Sequence, residues 1–201
     1  RLPKEAVLVE RLGAGRSTVR EAMKLLQSRN IVRIKQGSGT YVASNPGVAD
    51  DPLGFTFIGD KQRLARDLLE VRFMIEPQMA SMAAEHATED QIMCIRELCD
   101  ESQRLAEAGK DYSAADTAFH NAIAESCGNL VVPRLMGVLK ASVPLFIDVT
   151  GKKLVEETIR THRGVADAIE ARNPTAAHDA MYLHLVYNRN MIAEGAQAKS
   201  E

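Results

Sequence analysis

From residue 62 to residue 195 the chain reads as one helix-length stretch after another, with no competing alternation of the kind a strand needs. Gly109, Gly128-Asn129, Gly151 and Asn173-Pro174 break this run and predict helices at roughly 62 to 86, 88 to 108, 112 to 127, 130 to 150, 153 to 172 and 174 to 195. With a short segment at 51 to 58 before them, this predicts an all-α antiparallel bundle of six to seven helices.

The preceding sequence obeys different rules. KEAVLVERL (4 to 12) is a short amphipathic stretch with Pro3 at its start, where a missing N–H does no harm. Gly13-Ala14-Gly15 turns the chain into RSTVREAMKLLQSRN (16 to 30), where Val19, Ala22, Met23 and Leu26 share one helical face. Asn30 occupies the place where a chain leaves a helix in the left-handed region. Two β-rich runs then flank Gly37-Ser38-Gly39, predicting a hairpin. Helix, tight turn, helix and hairpin together make a winged helix-turn-helix. The seam is ASNPGVADDPLG, residues 43 to 54, where turn residues cluster and periodicity is lost. The expected organisation is therefore a winged domain over 1–43, a linker and short helix over 44–61, and a helical domain over 62–201.

Charge divides along the same seam. Residues 1–43 carry nine Lys/Arg against three Glu, a net of +6, while the remainder carries 16 basic and 24 acidic groups. A basic head on an acidic body is expected when one part meets a polyanion and the other does not. No apolar run approaches the ~20 residues of a membrane helix, and the residues from Arg1 onward do not read as a basic n-region followed by an apolar h-region. Cys94, Cys99 and Cys127 form no C-x-x-C pair and are expected as reduced core residues. A cytoplasmic protein without membrane partners is expected. The chain starts at Arg1, immediately before a Leu-Pro pair, so further N-terminal sequence is expected as well.

A helix entering the major groove needs donors in its first turn, and Arg16, Ser17, Thr18 and Arg20 supply them. Arg16 and Arg20 lie one turn apart, opposite Val19 and Met23. At the wing tip, Lys35, Gln36 and Gly37 can approach a groove or the backbone. The alternative is an ordinary basic surface on a small helical subdomain.

LPKEAVLVERLGAGRSTVREAMKLLQSRNIVRIKQGSGTYV resembles the DNA-binding domain of the GntR superfamily of bacterial transcription regulators over residues 1 to 42. The resemblance implies DNA contacts at Arg16, Ser17, Thr18, Arg20, Gln36 and Gly37, and a first helix preceding Leu2. Three positions depart from the family pattern: Ala6 stands for the usual Arg, Gly15 for Ser and Asn30 for Gly.

In the helical part, His162 lies 11 residues before Asn173 and His184 lies 11 after it. Folding those helices into a hairpin puts both imidazoles at one height, roughly 16 Å from the turn at ~1.5 Å rise per residue. Asp116 and His120 stack on one face of another helix. One Asp and three His from three helices suit a divalent first-row ion. Taken singly, each has a blander reading: a helix-face pair for Asp116 and His120, a satisfied core or surface residue for each histidine. His178 and His86 fall outside the grouping.

From about Leu64 to Ile192 the sequence resembles the FCD ligand-binding domain of the FadR-like branch of GntR regulators. The resemblance implies one divalent transition metal per chain on Asp116, His120, His162 and His184, with zinc expected and nickel, manganese or iron as alternatives. Arg72 shares a face with Leu68, Leu69, Met79 and Ala83, so it needs an anionic partner. The bland readings are an i+4 pair with Glu76 or a side chain snorkelling to solvent; the functional one is a clamp for a carboxylate effector beside the metal. Arg134 and Asn188 are weaker effector-binding candidates. The expected protein is a homodimeric regulator, a repressor, whose hold on a double-stranded operator responds to a small organic acid. A metalloenzyme is disfavoured because neither H-E-x-x-H nor Glu-x-x-His occurs. A purely structural metal is the remaining alternative.

Overall fold

The computed structural model describes residues 1–43, 46–47, 51, 53–139 and 155–197. The expected break at Gly151, parts of the helices predicted over 130–150 and 153–172, and part of the predicted linker fall outside the described residues. The chain divides into two compact units, Arg1–Gly54 and Phe55–Glu201.

In the first unit, α1 spans Glu5–Leu12 and α2 spans Arg16–Ser28. Pro3 lies before the helix rather than in its first turn, because Leu2 N–H donates to Thr40 C=O at 2.8 Å and holds the chain extended until Lys4 caps α1. Gly13 closes α1 in the left-handed region at φ 59°. α2 ends as its sequence predicts: Asn30 takes φ 51°, and the N–H groups of Asn30 and Ile31 return to the carbonyls of Gln27 and Leu26 at 2.9 and 2.8 Å. The hairpin pairs β1 (Val32–Lys35) with β2 (Gly39–Val42) antiparallel, with Val32 opposite Val42 and Lys35 opposite Gly39. Arg1 donates to Ser38 C=O and lies so close to Gly39 that a Cβ there would meet its Nε at 2.9 Å. Among the described residues of this unit, only Val19, Val32 and Ala43 are buried.

The second unit is helical. After a 3₁₀ turn at Phe55–Phe57 come α3 (Lys61–His86), α4 (Glu89–Glu107), α5 (Ser113–Ser126), α6 (Val132–Leu139), α7 (Val155–Glu170) and α8 (Pro174–Gln197). Local chemistry sets the starts. Asp60 accepts from Arg63 N–H at the head of α3, and Thr88 and Gln91 form a reciprocal capping box at α4. The turn between α7 and α8 is equally defined. Arg172 adopts φ 53° while Arg172 and Asn173 N–H donate to Ile169 and Ala168, both at 3.0 Å. Asn173 Oδ1 then accepts from Ala176 N–H, with Pro174 in the first turn of α8.

α3 and α8, the first and last helices of this unit, form its most extensive packing pair, followed by α7 with α8. Met79, Ile95, Phe119, Ile123, Val165, Ile169 and Met181 form the centre of the apolar core. Cys99 and Cys127 are buried as expected, whereas Cys94 is exposed because α4 turns Ile92, Ile95 and Cys99 inward instead. No helix among the described residues is long and apolar enough to cross a membrane.

Candidate functional site

The core of the helical unit carries ionisable groups at its centre. Burying a charge or an unpaired polar group is expensive, so each one calls for a partner. Arg72, on α3, is 2% exposed and meets Glu76 one turn later through Nε at 2.5 Å and Nη2 at 3.2 Å. The i+4 spacing produces this two-pronged pair. Burial alone would lift the Glu76 carboxyl, but Arg72 and then His120 reverse this and hold it well below the usual carboxylate range. Arg72, disfavoured by burial, is kept charged by Glu76.

Three more helices converge on this pair. α5 brings Asp116 and His120, α7 brings His162 and α8 brings His184, all buried. The candidate ligand nitrogens of the three histidines lie within 4.8 Å of one another. Asp116 stands beside them, Oδ1 3.5 Å from His162 Nε2 and Oδ2 3.9 Å from His120 Nε2. Phe119 supports the group, its ring centroid 4.5 Å from that of His162. The α7–α8 turn explains how histidines equally spaced about Asn173 meet: their ring centroids are 4.6 Å apart.

Burial, followed by the adjacent His120 imidazole and the Arg72 guanidinium, drives His162 well below the ordinary histidine range. Burial does the same to His184, helped by the adjacent imidazoles of His162 and His120, which disfavour a second charge, and by the Arg72 guanidinium. Both rings are thereby kept neutral, the form that binds metal. Burial raises Asp116 despite the nearby His120 and Arg72. His120 Nδ1 and Nε2 and His162 Nε2 are buried without a hydrogen bond of good geometry, although His120 Nδ1 lies 3.0 Å from Glu76 Oε2. An unsatisfied buried nitrogen costs roughly 1–3 kcal/mol. Three in one place, all on imidazoles beside a carboxylate, fit a cation site.

The other candidates are distributed as follows. Asn188 is half-buried, its Nδ2 3.2 Å from His184 Nε2. Arg134 is exposed on α6, because that helix turns Met136 and Leu139 inward on the opposite side. His178 pairs with Asp179 and His86 neighbours Glu85, both away from the cluster's buried setting. Sequence reading missed the contact of Glu76 with His120 and the contact of Thr161 Oγ1 with His184 Nδ1 at 3.0 Å. The first was half visible in the i+4 spacing from Arg72; the second left no local trace.

In the winged unit, Arg16, Ser17, Thr18 and Arg20 are exposed at the start of α2, and Lys35, Gln36 and Gly37 are exposed at the hairpin tip. Gly15 caps α2 without a side-chain acceptor, which leaves first-turn N–H groups open to an anion. Arg20 pairs with Glu5 at 3.0 Å across the surface.

Residues 1–42 match the family of bacterial regulatory proteins called gntR, and residues 67–187 match the FCD domain. The chain belongs to the GntR family. This GntR regulator is 30% identical over 197 residues to the HTH-type transcriptional regulator LutR of Bacillus subtilis, covering 92% of this chain and 88% of LutR. It is 28% identical to the Uxu operon regulator of Haemophilus influenzae, over 92% and 71% of the two chains. The HTH-type transcriptional repressor NanR of Escherichia coli K12 is 27% identical, over 92% and 73%. Among solved structures, Streptococcus agalactiae GntR superposes with a TM-score of 0.77 at 38% identity, covering 94% of this chain and 89% of that one. The GntR chain is accordingly a DNA-binding transcription regulator with an effector-binding FCD domain, not an enzyme.

Proposed function

We propose that this regulator holds one divalent transition metal, zinc in the first instance, on Asp116, His120, His162 and His184, and that a small carboxylate metabolite bound there controls its hold on an operator. The observation that carries the reading is the group of buried imidazole nitrogens lacking good hydrogen bonds, set beside Asp116. Imidazole and carboxylate donors suit zinc, nickel or iron, and neutral rings need no deprotonation before binding. When bound, the ion supplies a positive centre that attracts a carboxylate. Arg72 supplies the second point of attachment: its guanidinium fork now faces Glu76, and an incoming carboxylate would compete for the same donors. That exchange would give the acid a different affinity for two packings of the bundle, which is the requirement for control.

DNA binding is assigned to Arg16, Ser17, Thr18, Arg20, Lys35, Gln36 and Gly37, with two copies of the chain reading two half-sites about one turn apart. The repressor sign follows the name of the relative NanR. The test combines metal analysis of purified protein with operator binding followed by fluorescence anisotropy, with and without candidate acids. Expected are one metal per chain, lost in His162→Ala, and an acid-dependent change in DNA affinity that Arg72→Lys abolishes. Acid-responsive DNA binding that persists in the His162→Ala protein would overturn the metal's role.

A further inference from the structure

Thr161, immediately before His162 on α7, faces His184 on α8. Its hydroxyl has one proton and two backbone carbonyls within reach, Glu157 at 2.7 Å and Thr158 at 3.2 Å. With that proton directed back along α7, the oxygen can only accept from His184 Nδ1, 3.0 Å away. The imidazole must then carry its hydrogen on Nδ1 and leave a lone pair on Nε2. An independent contact gives the same answer from the opposite side: Asn188 Nδ2 is a donor, and it sits 3.2 Å from His184 Nε2.

We infer that Thr161 is a positioning residue that fixes the tautomer and ring orientation of His184, so that Nε2 is offered as an electron-pair donor to the cluster before any ligand arrives. The inference rests on the metal reading for its use but not for its geometry. The Thr161 contact is non-local: Thr161 is 23 residues from His184 and reaches it across the α7–α8 pair. Outer partners of this kind typically govern metal affinity by about 10–100-fold. Asn188 has a complementary part: its amide occupies the same lone pair, so a cation taking Nε2 displaces that hydrogen bond.

Two measurements test this on the full chain. Long-range nitrogen–proton correlation spectra of chelator-treated protein should show His184 with a protonated Nδ1 and a bare Nε2; the opposite tautomer overturns the inference whether or not the protein binds a metal. Zinc alone, titrated in competition with a chromophoric chelator, should bind about 10–100-fold more weakly to Thr161→Val than to the parent, and Thr161→Ser should restore most of the loss. A folded Thr161→Val protein with parental zinc affinity overturns the inference while leaving the metal reading intact. Failure of the parent to bind zinc, nickel, iron or manganese defeats the metal reading, and the spectra still decide the tautomer.

Discussion

The two units treat charge in opposite ways. In the winged unit the basic side chains are at the surface, and an ion pair such as Arg20–Glu5 is 62% and 41% exposed. In the helical unit Arg72 and Glu76 pair at 2% and 0% exposure, with Asp116 and three histidines beside them. The same chemical groups are therefore inexpensive and available in one place, costly and committed in the other. A surface that meets a polyanion needs charges that water already solvates. A recognition site inside a bundle needs charges whose removal from water is offset by fixed partners, and those partners are what an incoming ligand must exchange.

The largest expected effect is on Glu76→Ala, which leaves the Arg72 guanidinium buried without its two-pronged partner; a loss of about 3–5 kcal/mol is expected, read as a lower thermal midpoint of the helical unit. Next is acidification. His162 and His184 titrate well below their unfolded value, so their contribution is complete above about pH 6.5 and declines as pH falls. Glu76, held low, adds to that loss further down, while Asp116, held high, opposes it. Calorimetric melts between pH 7 and pH 5 should show the helical unit losing stability with decreasing pH; a rise would contradict the buried neutral rings.

Arg16→Ala reverses the pattern. It should leave the melting profile unchanged and weaken operator binding by about 1–3 kcal/mol, with relaxed specificity if the contact is to a base edge. Arg20→Ala should change stability by no more than about 0.5 kcal/mol, since exposed pairs contribute little. Asn188→Ala acts on metal affinity instead. Because a metal no longer displaces a hydrogen bond from His184, zinc affinity should rise by up to about fivefold, the equivalent of ~1 kcal/mol. A fall instead would mean that Asn188 supports the site rather than covering it.

Much of the architecture was legible because local chemistry determines it. The glycines at 13 and 37, the left-handed Asn30 and the Asn173-Pro174 junction each mark a turn by a backbone requirement that few residues meet. The approach of His162 to His184 followed from equal spacing about that junction, because a tight antiparallel turn preserves height. The outer contacts were not legible. Glu76 and His120 are 44 residues apart, and whether they touch depends on how α3 and α5 are rotated against each other. Arg134 shows the same limit: its apolar surroundings in sequence did not reveal which side of α6 faces inward.

The pairing of α3 with α8 also has a consequence for synthesis. Eighty-eight positions separate the end of α3 at His86 from the start of α8 at Pro174. At roughly 5–20 residues per second, a ribosome needs about 4–18 s to deliver the partner after α3 is made. Until then Leu64, Leu68, Arg72 and Glu76 have emerged without the surface against which α3 chiefly packs. The nascent helix is open to premature association during that interval, and the buried cluster of Asp116 with the three histidines cannot assemble until α8 is translated.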